Sequence, residues 1–422
     1  MYEGKPLQIV ELGPGKGTLM IDLLRILSRI GYRQQDFSLH LIEISPMMQN
    51  EQAHRLCMTH RSSDENMPHY YEGETVSGIK VYWYNDISKV PQTFSWYIAH
   101  EFFDALPIHK FEKTSDGWRE LLIDIDENDK LYYRISGKET QAVQLWIRPP
   151  LDSGNKKELE VSVKSLSIAR QLAQRVDENG GIALIVDYGH EGEKGDTFRA
   201  FHKHKIVNPL ENPGECDLTA DVDFSQLRIA ASKTSKEDNF AIVVGPVTQR
   251  DFLIRAEAES RLQVLLDNSK DEDKENLKAA FEMLTSTQKM GERFKFMAFY
   301  PSAMANILEN ITNVTICPGL GGTVPVSGDL SRCQQRSQHS PGFVSIPKDS
   351  FKINFFRARN ACPTPCTGRQ MIERAVRPRS AASMHLFLES VPVRECWAMD
   401  GGANNGIARR LRRRAGGMCL DV

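Results

Sequence analysis

Apolar positions fall into two patterns along the first 300 residues: short strand-like runs, and longer stretches at helical spacing. LQIVEL (7–12) is strand-like. After a glycine turn, Leu19, Leu23, Ile26 and Leu27, with Met20, Leu24 and Ile30, keep helical spacing until Gly31 ends the run. FSLHLIEIS (37–45) predicts the next strand, EISPMMQNEQAHRLCM the helix behind it, KVYWYND (80–86) a third strand and SWYIAHEFF (95–103) a fourth. Strands alternating with helices predict an α/β fold with a parallel sheet and crossover helices.

Residues 108–137 interrupt this rhythm. IHKFEKT, WRELLIDID and LYYRIS, separated by DG and END, predict an antiparallel meander, with Asp116-Gly117 forming the tight turn. The doubly wound pattern resumes with a helix near 163–177, the strand GIALIVDYG (181–189), helices near 251–266 and 274–284, and a closing strand FKFMAFY (294–300). The expected division is therefore a first half of the core at 1–107, an antiparallel insertion or cap at 108–160, a second half at 161–300, and an extension at 301–422.

Charge sharpens that last boundary. Through Tyr300 the chain carries 47 acidic against 37 basic residues, whereas residues 301–422 carry 8 against 16. Cysteine follows the same division: Cys57 and Cys216 lie in the body, and the other six of the 8 crowd the extension. Two widely separated cysteines suit a reducing compartment. The extension is rich in Arg, Pro, Gly and Ser without sustained periodicity, which predicts disorder. Cys362 and Cys366 in CPTPC lack a second ligand pair for zinc, so no metal site is expected. RRLRRR (409–414) and HKHK (202–205) are too isolated in a net acidic chain to indicate nucleic-acid binding, and HKHK reads as a solvated loop. No apolar run reaches the roughly 20 residues of a membrane span. The N-terminus, MYEGKPLQIV, shows neither a signal peptide nor an Arg-rich presequence.

The opening stretch carries the first candidate chemistry. ELGPGKG joins Glu11 to Gly13, Pro14, Gly15 and Gly17 between a strand and a helix. Dinucleotide folds use GxGxxG, with the pyrophosphate facing the helix N-terminus. Here the spacing is GxGxG and Glu11 would repel a pyrophosphate, whereas it would favour the ammonium of an amino-acid ligand. That pattern favours S-adenosylmethionine, a cation without phosphate, over NAD or FAD. Glu43 ends the second strand, where a carboxylate accepts both ribose hydroxyls; Asn85 and Asp86 end the third, facing an adenine; His100 and Glu101 end the fourth. The plainer alternative is that the glycines only make a turn and the acids only cap helices.

VELGPGKGTLMIDLLR, AHEFFDALPIHKFEKTSDGWRE, ALIVDYGH, DTFRAFHKHK, CDLTADVDFSQL and KMGERFKF together resemble the MidA-type mitochondrial protein arginine methyltransferases, over about residues 5–300 in colinear order. The resemblance implies a class I S-adenosylmethionine-dependent methyltransferase fold of Rossmann-like type. It also implies symmetric dimethylation of an arginine on a complex I subunit in the mitochondrial matrix, in support of complex I assembly. That family carries a presequence and a helical region ahead of its first core strand, for which this sequence has no matching pattern. A noncatalytic complex I assembly partner and an inactive truncated isoform are the rival readings.

Methyl transfer to arginine needs acids in the crevice, because a guanidinium is fully protonated and a poor nucleophile. Carboxylates can aim one of its nitrogens and share its charge. Glu101 is the expected clamp, with cofactor contact and helix capping as alternatives; Asp104 supports it, and His190 is a candidate proton acceptor beside Asp187 and Tyr188. Asp217, Asp221 and Asp223 either face a basic substrate or cap the following helix.

Overall fold

β1 (Leu7–Leu12) is buried at every position, which requires neighbours on both edges and covering layers on both faces. The computed structural model, which describes residues 6–33, 35–147, 156–203, 205–232 and 241–310, shows both. β1 is followed by α1 (Thr18–Arg29), β2 (Phe37–Ile42), α2 (Pro46–Leu56), β3 (Thr59–Ser62), β4 (Tyr71–Glu74), β5 (Lys80–Tyr84) and β6 (Ser95–His100). After β6 come β7 (His109–Thr114), β8 (Gly117–Ile125), β9 (Leu131–Ile135), α3 (Gln141–Trp146) and β10 (Glu158–Val161). The core resumes with α4 (Val163–Asn179) and β11 (Gly181–His190). Next come β12 (Arg199–His202), β13 (Lys205–Val207), β14 (Asp217–Thr219) and β15 (Val222–Asp223). The remaining elements are α5 (Phe224–Ala231), β16 (Ile242–Thr248), α6 (Gln249–Arg255), α7 (Ala258–Asn268), α8 (Asp271–Thr285), α9 (Met290–Arg293) and β17 (Phe294–Tyr300).

The main sheet runs β16-β17-β11-β6-β1-β2-β5-β4-β3. Its five central strands, β11, β6, β1, β2 and β5, are parallel, while β17 lies antiparallel between β11 and β16. From β1 the chain winds outward through β2 and β5, then returns to the other side of β1 as β6. The strand order reverses at β1, which makes this the switch point where α/β sheets open a ligand crevice. One face is covered by α1 and α2, with Met20, Leu27, Ala53 and Leu56 packed on Ile9, Leu39 and Leu41. The other is covered by α4 and α5, with Ile168, Leu172, Val176, Phe224 and Leu227 packed on Val10, Leu12, Tyr97 and Ile185.

The expected meander is present, and β10 closes it into a four-stranded sheet of order β10-β7-β8-β9. The structure departs from, or adds to, the sequence pattern at four places. The polar strands β3 and β4 form an antiparallel hairpin that extends the sheet edge through β4, which pairs antiparallel with β5, and the chain's patterning does not announce it. TFRAFHKHK is not all loop: β12 lies within it and pairs with β14 and with β13, which begins at its last residue, Lys205. The helix expected at 251–266 is two helices, broken where Glu257 adopts φ 61°. The fold also continues past Tyr300 through a helix at Ala305–Asn310, where Leu308 is buried against the group holding Phe296 and Tyr300. The backbone N–H of Ser302 anchors this run by donating to Asp177 Oδ1 at 2.7 Å. The rest of the extension, including CPTPC and RRLRRR, lies outside the described residues. Among the described residues, no helix is long and apolar enough to cross a membrane.

Candidate cofactor and substrate site

The central strands end level with one another. Leu12 is opposite Ile42 and Ala99, and Ile42 is opposite Tyr84, so the residues just beyond these positions share one rim. The ladder continues one step into the loops, as Gly13 N–H donates to Ile42 O at 3.0 Å and Glu43 N–H to Tyr84 O at 2.9 Å. Glu11, Glu43, Asn85, Asp86, His100 and Glu101 are thereby gathered at or beside the carboxyl edge around the switch point, in strand order β5-β2-β1-β6.

The glycine turn is fixed by contacts as well as by backbone freedom. Gly13 has φ 65°, and a Cβ there would lie 2.8 Å from Phe102 Cδ2, so only glycine fits between β1 and the segment after β6. Gly17 N–H donates to Pro14 O at 2.8 Å, closing the turn, and Gly17 caps α1 in left-handed conformation. Gly15 is exposed and Pro14 buried.

A residue that the sequence reading missed locks this turn to the next strand. Gln52, fully buried on α2, donates to Gly15 O at 2.7 Å and to Glu43 Oε2 at 3.0 Å. Glu43 Oε1 meanwhile accepts from Ser45 N–H at 2.8 Å. The available signal was a polar residue on a core-facing stripe: Gln49, Gln52, Ala53 and Leu56 form the buried face of α2. Each carboxylate oxygen of Glu43 has a second lone pair, so the constrained carboxylate can still accept two hydroxyls.

Glu11 differs from the expected anionic rim. It is buried within β1, burial pushes its pKa up to about 8, and its Oε2 has no hydrogen-bond partner among the described residues. Without a ligand it is therefore largely neutral at pH 7, and an arriving cation would restore its charge. Burial pushes His100 down to about 4, leaving it a neutral imidazole. Asn85 is exposed. Asp86 Oδ1 accepts from Ser88 N–H at 2.8 Å and its Oδ2 lies 3.5 Å from Lys164 Nζ, which holds the carboxyl below its usual range. Asp86 thus caps a short helical turn at the rim.

Beside Gly13, the segment after β6 brings carboxylates together. Glu101 adopts φ 48°, a strained conformation for a side-chain-bearing residue. Asp104 is buried, and Asp187, fully buried in β11, accepts from the backbone N–H groups of Phe103 at 3.0 Å and Asp104 at 3.3 Å. Burial, then the neighbouring Asp104 and Glu101, raise the Asp187 pKa well above the usual carboxylate range. A cation at this cluster would relieve that mutual repulsion.

His190 lies elsewhere. It is buried beside a cavity lined by Phe103, Ser162, Lys194, Asp221 and Gln226, and its Nδ1 accepts from Gly192 N–H at 3.0 Å and Lys194 N–H at 3.4 Å. The charged groups around it are Asp223, Glu193, Asp221 and Lys194, not Glu101 or Asp104. Its Nδ1 is thus engaged by the turn that follows it. Two of the acids of CDLTADVDF are also committed structurally: Asp223 Oδ1 caps α5, and Asp221 pairs at 2.6 Å with both Lys194 and Arg199.

Five parallel central strands, an antiparallel strand between β11 and β16, and a glycine turn at the switch point define a class I methyltransferase fold. The profile of the S-adenosyl-L-methionine-dependent methyltransferase family matches residues 1–243, and the chain belongs to that family. It is 43% identical over 316 residues to the mitochondrial protein arginine methyltransferase NDUFAF7 homolog of Drosophila melanogaster, covering 73% of this chain and 71% of that one. It is 43% identical over 324 residues to the mitochondrial protein arginine methyltransferase NDUFAF7 of Danio rerio, covering 75% and 74%. Two solved structures from Burkholderia thailandensis share the fold. One has a TM-score of 0.56 at 22% identity, covering 71% of this chain and 75% of that one. The other, bound to S-adenosyl-homocysteine, has a TM-score of 0.53 at 21% identity, covering 72% and 75%.

The protein is a methyltransferase with S-adenosylmethionine as its cofactor. When bound, S-adenosylmethionine supplies a methyl group on a positively charged sulfur. The residues fit such a ligand: the Oε2 atom of Glu11 is the kind of buried, unpartnered acceptor that an ammonium completes, and Glu43 is held rigid for hydroxyls.

Proposed function

We propose that the methyl acceptor is an arginine side chain of a protein, that the modification is symmetric dimethylation of a complex I subunit in the mitochondrial matrix, and that it serves complex I assembly. The carboxylate group Glu101, Asp104 and Asp187 beside the glycine turn carries this reading. Buried like charges are costly unless a cation joins them, and a guanidinium is the side chain whose charge and planar donors match them. The names of the relatives and the family resemblance support the same acceptor.

Glu101 and Asp104 would hold the guanidinium, aim one nitrogen in line with the donor methyl and share the positive charge. In such a transfer the nitrogen–carbon bond would form as the sulfonium's sulfur–carbon bond breaks, and Glu101 would take the proton that the nitrogen loses. Glu11, Glu43 and the glycine turn would hold the donor, with Asn85, Asp86 and His100 forming the rim beside it.

Mass spectrometry of complex I subunits incubated with this protein and isotopically labelled S-adenosylmethionine tests the reading. Label on an arginine side chain, accumulating as the symmetric dimethyl form, is expected. Label confined to another residue type, or none above a no-enzyme control, rejects it.

A further inference from the structure

Asp104 is held from four directions by elements far apart in sequence. Its backbone N–H donates to Asp187 Oδ2 at 3.3 Å, and its backbone carbonyl accepts from Ala220 N–H at 3.0 Å. Its Oδ2 accepts from the Tyr188 hydroxyl and, at 2.8 Å, from Thr219 Oγ1, while those two hydroxyls lie 2.6 Å apart. The Tyr188 ring is itself fixed: Phe294 meets it edge-on at 5.3 Å, and the Arg199 guanidinium lies 5.3 Å from its centre, anchored by Asp221. CDLTADVDF therefore contributes its threonine to the acidic site, while Asp221 and Asp223 serve the scaffold.

We propose that Tyr188 and Thr219 are positioning residues for methyl transfer: their paired hydroxyls fix the Asp104 carboxylate in one orientation before the acceptor arrives. This deepens the arginine reading and rests on it for the identity of the acceptor. Two O–H donors on one oxygen set the carboxylate plane and leave it little rotational freedom. Displacement of about 1 Å at such a group is enough to cost on the order of a hundredfold in rate. Burial, then the neighbouring Asp104, push the Tyr188 pKa up, so the phenol stays a donor throughout the physiological range.

The test compares Tyr188→Phe, Thr219→Val, Thr219→Ser and the Phe/Val double variant in the full chain. Steady-state transfer from labelled S-adenosylmethionine to complex I subunits is measured together with calorimetric cofactor affinity and a crystal structure of the double variant. Expected are a roughly 10- to 100-fold loss of kcat for Tyr188→Phe and Thr219→Val, with KM and cofactor affinity within about threefold of wild type, and recovery of most turnover in Thr219→Ser. In the crystal, the Asp104 carboxylate of the double variant should be rotated. An unrotated carboxylate overturns the proposal whatever the activity, as does an unchanged kcat in an active double variant. If wild-type protein labels no arginine, the acceptor assignment fails separately, and the crystal structure still decides the positioning role.

Discussion

The indole N–H of Trp83 donates to Gln52 Oε1 at 2.9 Å, deep in the sheet beneath the glycine turn. That bond fixes which way the Gln52 amide faces and leaves its NH₂ group to join Gly15 O and Glu43 Oε2. Gln52→Leu keeps comparable volume but leaves the Trp83 donor unsatisfied, at a cost of about 1–3 kcal/mol. It also releases Glu43 from the turn. Thermal unfolding should show the lost stability, and calorimetry should show S-adenosylmethionine affinity reduced by roughly tenfold, equivalent to about 1.4 kcal/mol. Unchanged affinity would show that this link does not set the cofactor site.

What the chain reveals in advance follows from how local the physics is. The glycine turn and the polar ends of β2, β5 and β6 are legible because strand and helix periodicities place them, and parallel strands must end at one edge. Gln52 is not legible as a link, because its role depends on three partners from separate elements. Thr219 is separated from Asp104 by 115 residues, and only the folded β14 brings them together. The state of Glu11 depends on how completely the helices bury β1, so spacing alone suggested a charge that burial suppresses. His190 shows a second limit: that its Nδ1 accepts from backbone N–H groups of the turn that follows it could not be read from its place at a strand end.

Glu101 combines a left-handed backbone with a place in the acidic cluster. Glu101→Gln preserves shape and removes charge, so cofactor affinity should persist while methylation falls by about three orders of magnitude or more, beyond about 4 kcal/mol of transition-state stabilisation. Glu101→Gly removes a backbone strain of about 1–2 kcal/mol; its melting temperature should not fall, yet it should be equally inactive. Near-normal single-turnover rates in the glutamine variant would remove Glu101 from the chemistry.

Glu11 predicts a pH signature. Its pKa of about 8 in the folded chain exceeds its ordinary value of 4.5. Between those values the native state retains a proton that the unfolded state has released, so this group lowers stability as pH rises from about 4.5 to about 8. Glu11→Gln should remove that decline and raise the stability of cofactor-free protein at pH 8, by a few kcal/mol as an order of magnitude. An ammonium placed at Oε2 would draw the pKa down, so cofactor binding at pH 6–7 should release up to about one proton. Calorimetry in buffers of different ionisation enthalpy measures that release, and Glu11→Gln should abolish it. Equal heats in all buffers for the wild type would mean that no cation meets Glu11.

Gly13 and Gly15 offer a controlled comparison, because both have positive φ, at 65° and 51°, but only Gly13 is crowded. Alanine at position 15 meets nothing within 4 Å, so its cost is the left-handed backbone alone, about 1–2 kcal/mol. Alanine at position 13 bears the same backbone cost and also drives a methyl to 2.8 Å from the Phe102 ring, which adjoins Glu101. The ring must move, adding about 1–3 kcal/mol of overpacking and shifting the acidic segment, so methyl transfer should fall further than cofactor affinity does. Phe102→Leu introduced beside Gly13→Ala should recover part of the stability, giving a coupling of about 0.5–3 kcal/mol in a double-mutant cycle. Urea unfolding of the four proteins of that cycle, with Gly15→Ala alongside, measures each term. Equal losses in the two alanine variants and a coupling near zero would show that the turn requires glycine for its backbone only, and that Phe102 does not bind the cofactor loop to the catalytic segment.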